Sequence, residues 1–136
     1  MRIPPPEPGS GRGADAFCRD LLAKKTHREA SVWVKESTPG NTRTIGEQSP
    51  AASLAIVKRL YGSGAKQVWA VDLEIYPHEG ESTNILIVEL PKQPELRREL
   101  FQLEARHAAN EGFNPVSDDG QHYMFLHKFK LTMFQR

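Results

Sequence analysis

Residues 94–112 constrain this chain more than any other stretch. Pro94 stands where a first helical residue belongs, because proline lacks the N–H that would go unused there. Gly112 stands where a helix stops, since glycine accepts the left-handed backbone of a C-terminal cap. Between them Leu96, Leu100 and Leu103 recur at helical spacing as one apolar stripe, and Phe101, Ala105 and Ala108 form a second. The neighbouring segments read as the strands on which this helix packs.

Taken in order, residues 1–13 hold four prolines and three glycines without an apolar period, which predicts a disordered tail. A helix is expected over 14–25, with Phe17, Cys18, Leu21 and Leu22 on one face. Residues 30–36 alternate, Ala30, Val32 and Val34 against Ser31, Trp33 and Lys35, and read as a strand. Residues 37–48, with the turn signal Pro39-Gly40, read as a loop. Ser49-Pro50 opens a second helix as N-cap and first residue; Leu54, Ile56, Val57, Leu60 and Tyr61 make its buried face, and Gly62 or Gly64 ends it. Residues 66–76 alternate as a strand, with Trp69, Val71, Leu73 and Ile75 opposed to Val68, Ala70, Asp72, Glu74 and Tyr76. A polar turn over 77–82 leads to a strand over 83–90 that Pro91 stops. After the long helix, Asp118-Asp119-Gly120 is a turn and 121–131 an aromatic-rich last strand.

Behind the leading helix the order is therefore strand–helix–strand–strand–helix–strand. That is the split βαβ pattern of an α+β, ferredoxin-like fold. It predicts a four-stranded antiparallel sheet in spatial order 4-1-3-2, with two helices on one face, as a single domain over 14–136.

Composition narrows the function. The chain has 136 residues, enough for one domain with a core of its own. Lys and Arg number 18 against 17 Asp and Glu, so no overall preference for a polyanion or an acidic partner follows. A single cysteine, Cys18, rules out an internal disulfide and reads as a small buried hydrophobe rather than a reactive thiol. The opening Met1-Arg2-Ile3-Pro4-Pro5-Pro6 lacks the apolar core of a secretory signal, and no run approaches the ~18 apolar residues of a membrane span. A cytoplasmic protein that does not enter a membrane is expected.

The sheet face left open by the two helices would show Trp33, Val68, Ala70, Tyr76, Ile85 and Ile87. An apolar patch of that size is seldom left to water. Three occupants fit it: the leading helix, a second copy of the chain or another protein partner, or a ligand. Base stacking is disfavoured, because Trp33 is the lone aromatic on the central strands and Asp72, Glu74 and Glu89 would repel phosphate; no nucleic acid is expected.

One side chain suggests chemistry. On a helical projection Glu104 falls in the seam between the two stripes, with Arg97 seven residues before it and Glu111 seven after. A carboxylate there is desolvated, so it either takes up a proton or finds a cation, Arg97 first, with Tyr61 or a histidine as other partners. The functional reading is a general acid or base; the structural one is a buried ion pair or a wet groove. The five histidines show no metal-ligand spacing, and His107 is placed at the wet end of the leucine stripe. The 40–46 loop has donors for an anion but lacks the ending of a phosphate loop, and no cofactor motif is present, so no cofactor is expected.

The segments Gly64-Ala65-Lys66-Gln67-Val68-Trp69-Ala70-Val71, Leu100-Phe101-Gln102-Leu103-Glu104-Ala105 and Glu111-Gly112-Phe113-Asn114-Pro115 resemble an uncharacterised family of small bacterial proteins. That resemblance implies a bacterial, soluble, single-domain protein and brings no catalytic residue. The expected function is a non-enzymatic binding or interaction module acting through the open sheet face, with Trp33, Tyr76, Ile85 and Ile87 as contacts. The alternative is a small enzyme or ligand-binding protein with a pocket near Glu104 and Arg97.

Overall fold

The computed structural model describes residues 11–112, 114–127 and 129. Residues 1–10 of the expected tail, and 128, 130 and 131 of the expected last strand, lie outside them. The elements run α1 (Gly11–Ala23), β1 (Arg28–Glu29), α2 (Ala30–Lys35), β2 (Thr42–Ile45), α3 (Pro50–Gly62), β3 (Gln67–Val71), β4 (Glu74–Tyr76), β5 (Gly80–Thr83), β6 (Ile85–Glu89), α4 (Pro94–Glu111) and β7 (Tyr123–His127).

The architecture is α+β around a four-stranded antiparallel sheet in the order β1-β3-β6-β7. A three-stranded sheet, β2-β5-β4, adjoins it, with β2 parallel to β5 and β4 antiparallel. The large sheet is thus a simple succession in chain order, not the 4-1-3-2 interleaving of the ferredoxin-like expectation. Two local choices cause the difference. Residues 30–36 form a helix instead of a first strand: Glu29 caps it by accepting from the Val32 amide at 2.8 Å, and Ala30, Trp33 and Val34 point inward at helical spacing. Asp72, at φ +51°, breaks the expected 66–76 strand and sends β3 and β4 into different sheets, a conformation aspartate tolerates better than most residues. The expected loop at 37–48 contains β2, and the expected turn at 77–82 runs into β5.

Both faces of the large sheet are covered. Val68, Ala70, Leu86, Val88, Met124 and Leu126 face α2, α3 and α4, meeting Trp33, Val57, Leu60, Leu100 and Leu103. Val71, Ile85, Ile87 and Phe125 face α1, meeting Ala14, Phe17, Cys18 and Leu21. Phe17 packs on Phe125 with ring centroids 4.7 Å apart. Burying a side chain of that size stabilises by roughly 2 kcal/mol, so α1 is held by its own apolar stripe. Asp15 pins it further by accepting the main-chain N–H groups of His122 and Tyr123 at 3.1 and 2.9 Å, where β7 begins. Of the three occupants weighed for the open face, the structure seats the leading helix.

α4 is bounded as its sequence requires, with Pro94 in its first turn and Gly112 capping it at φ +83°. α3 likewise starts at Pro50 behind the Ser49 cap.

Candidate functional site

The six residues singled out in the sequence do not converge. Ile85 and Ile87 lie under α1, and Trp33 is buried in α2, where its Nε1 donates to Glu81 at 3.0 Å. Val68 and Ala70 belong to the opposite face from Ile85 and Ile87. Tyr76 is exposed on β4, in the smaller sheet, with its hydroxyl on Glu74. Arg97 and Glu104 share α4, seven residues apart, and bond to different partners.

Glu104 is 2% exposed, beneath the segment that returns from α4 to β7. Its Oε1 accepts the Val116 N–H at 3.0 Å. Burial pushes its carboxyl up to about 7, and the Val116 amide restrains the rise. The expected cation is elsewhere: Arg97 donates from Nη2 to Asp118 Oδ1 at 2.5 Å, from Nε to Oδ2 at 3.1 Å, and from Nη1 to the Pro91 carbonyl at 3.2 Å. These bonds hold the Asp118 carboxyl below its usual range. Tyr61, the other partner considered, is engaged by Glu29. Among the described residues no cation meets Glu104, and burial instead raises its affinity for a proton.

The returning segment is fastened along its length. Val116 is tied to Glu104 and Asp118 to Arg97, while Gln121 donates to the Ser117 carbonyl at 2.9 Å and accepts from the Asp119 amide at 2.7 Å. His107, expected at a wet helix end, is fully buried. Its Nε2 donates to the His127 carbonyl at 2.5 Å and its ring stacks on Phe129 at 4.8 Å, while burial lowers its pKa and keeps it neutral.

Among the described residues, two clefts adjoin this segment. The larger, about 660 Å³, runs along α4 over Phe101 and Ala105, between Lys92, Arg98 and the Arg97–Asp118 pair. The smaller, about 390 Å³, opens where β6 passes into α4 and collects Arg19, Lys66, Glu89, Lys92, Arg97 and Tyr123. Lys92 and Arg97 line both. The Arg97 guanidinium lies 5.7 Å from the centre of the Phe101 ring, which fixes it as the wall between them. Across the two clefts five cationic side chains meet two lining carboxylates, Glu89 and Asp118. This convergence was not visible in the sequence, because Arg19, Lys66 and Arg97 come from α1, the approach to β3, and α4, and only the sheet brings them together.

Chemically the site can hold an anion beside an apolar surface. Glu104 is roofed over by the returning segment and lines neither cleft, so it is not placed to exchange protons with a bound molecule. Among the described residues no group of three or more His, Cys, Asp or Glu could hold a metal ion. Among them too, no helix is long and apolar enough to cross a membrane. In comparisons with known proteins, no family model, curated protein or solved structure matches this chain.

Proposed function

We propose that this protein is a non-enzymatic binding module whose site is the pair of clefts between α4 and the 114–122 segment. The observation that carries this reading is the convergence of both clefts on Lys92 and Arg97, with an apolar floor at Phe101 and Ala105 on one side. The binding role expected of the chain is kept, and its location moves. The sheet face first assigned to it, at Ile85 and Ile87, is covered by α1. The resemblance in residues 64–71, 100–105 and 111–115 assigns no activity, so the reading stands on the residues alone. A cytoplasmic location fits it, since a lone buried thiol such as Cys18 has no disulfide to form within the chain.

A thermal-shift screen of small metabolites on the full chain, followed by amide chemical-shift mapping of any hit, tests the reading. Hits should perturb residues 92–105 and 117–123, and Ala105→Glu, which places a charge on the cleft floor, should abolish them. Hits that map to β4 or α1 and survive Ala105→Glu would sink it.

A further inference from the structure

We propose that the ligand class is a small organic dianion of the phosphate-monoester type, its charged end held at Lys92 and its apolar body laid over Phe101 and Ala105; this rests on the binding reading above. The first support is charge placement. The chain as a whole carries a net +1, yet five cations gather around two clefts that share Lys92 and Arg97 and are lined by only two carboxylates. Three of those cations are already engaged. Arg97 is held by Asp118, Lys66 lies 3.6 Å from Glu89, and Arg19 lies 3.8 Å from Asp15. Among the described residues Lys92 and Arg98 have no ion pair, and both are exposed. They are the two charges still open to an incoming anion, and both border the larger cleft.

The second support is the shape of the charge. In the larger cleft Lys92 stands on the approach to α4 and Arg97 and Arg98 in its first turns, while Arg19 of α1 and Lys66 before β3 border the smaller cleft on the far side of Lys92 and Arg97. Several cations so close together suit a compact group with several acceptor oxygens better than a single carboxylate. Gathering like charges this way costs repulsion that an anion between them relieves. The third is the floor. Phe101 is partly buried with Arg97 over its ring, and with Ala105 and Pro94 it makes an apolar surface within one side chain's reach of Lys92. A purely inorganic anion would leave that surface unused.

Calorimetric titration of the full chain with phenyl phosphate, inorganic phosphate and benzyl alcohol separates the contributions. Phenyl phosphate should bind about tenfold more tightly than inorganic phosphate, through contact with the floor. Lys92→Glu should weaken phenyl phosphate at least about tenfold, and Arg98→Glu should weaken it several-fold, since each replaces an attraction by a repulsion. Lys58→Glu, an exposed charge on α3 outside both clefts, should leave binding unchanged. Equal weakening by Lys58→Glu would show that only overall charge is sensed and overturn the proposal. So would equal affinity for phenyl phosphate and benzyl alcohol, although that outcome leaves the binding reading intact. If neither phosphate binds and the metabolite screen still yields hits at 92–105, the ligand class alone is wrong; if neither experiment finds binding there, both readings fall.

Discussion

Arg97 grips Asp118 across 21 residues of chain with two parallel hydrogen bonds, Nη2 to Oδ1 and Nε to Oδ2. The pair fastens the segment after α4 to the first turns of that helix, and it holds Arg97 where it borders both clefts. Asp118 is partly exposed, so the expected contribution is that of a well-aligned surface pair, about 1 kcal/mol. Asp118→Ala should lower stability by that amount and speed hydrogen exchange at the Gly120 amide, which Asp118 also accepts. The carboxyl is held low, so its contribution is fully present above the usual carboxylate value and is lost as pH falls from there through the lowered folded-state value. A variant whose denaturant midpoint differs from the parent by as much at pH 2.5 as at pH 6 would remove the clamp from the account.

Tyr61 closes a second junction. Its hydroxyl donates to Glu29 Oε2 at 2.5 Å and accepts the Val68 N–H at 3.0 Å, tying α3 to the cap of α2 and to β3. Burial and the Glu29 carboxylate push the phenol up to about 12, so it stays protonated and keeps donating at ordinary pH. Burial raises the Glu29 carboxyl too, but the hydrogen bonds from Ser31, Tyr61 and Val32 outweigh it and leave the group below its usual range. Tyr61→Phe should cost about 2 kcal/mol in a denaturant melt, since it strips a partner from a carboxylate and a partly buried amide together. A loss under ~0.5 kcal/mol would mean water replaces the hydroxyl without penalty.

Gly80 lets β2 and β5 approach. At φ +155°, a side chain there would place Cβ 2.8 Å from Thr42 Oγ1 and 2.9 Å from its amide nitrogen. Thr42 is its register partner in the parallel pair, and backbone cannot yield as a flexible side chain does. Gly80→Ala should destabilise by about 2 kcal/mol or more and loosen the small sheet before the large one. Amide exchange shows the order: protection lost equally from β3 and β6 would contradict it.

Cys18 is fully buried between α1 and the sheet, and burial raises its pKa well above that of a free thiol. Labelling by a thiol reagent should therefore be slow in the native chain and complete in denaturant. Because α1 is what covers the sheet face, the labelling rate reports its opening. Phe17→Ala should accelerate labelling along with its loss of about 3 kcal/mol of stability. Fast native labelling at the rate of a free thiol would show that α1 does not stay on the sheet.

The elements whose ends carry their own chemistry were legible in the sequence, and those decided by distant partners were not. Ser49-Pro50 and Pro94 with Gly112 placed α3 and α4 because caps are local. Residues 30–35 fit both periods: alternation puts Val32 and Val34 together, whereas helical spacing groups Ala30, Trp33 and Val34. The contacts to α3 and β3 select the second and leave Val32 57% exposed. β2 was missed because Thr42, Arg43 and Thr44 carry no apolar signal and pair with a strand almost forty residues away. The same limit hid the site. Their shared helix makes Arg97 one candidate partner for Glu104, but the groups each of them bonds, Asp118 and Val116, sit on a segment whose path only the fold defines.

Glu104 offers the sharpest pH test. Its folded-state carboxyl titrates at about 7, above the ordinary carboxylate value of the unfolded chain. Between those two values the native state keeps a proton that the unfolded state releases, so its contribution is fully present below the unfolded value and is lost as pH rises through about 7. Glu104→Gln keeps an oxygen for the Val116 N–H and cannot ionise. Its stability relative to the parent should therefore rise with pH, by about 2 kcal/mol between pH 5 and pH 8.5 once partial access of water is allowed for. Glu104→Ala should be destabilised at pH 5 by about 1–3 kcal/mol, because the Val116 amide loses its acceptor and a void opens beneath it. Denaturant melts of the three proteins across that range decide the matter. Parallel profiles for parent and Glu104→Gln would mean the carboxyl titrates as an ordinary solvated group, and the segment over it is not the roof it is taken to be.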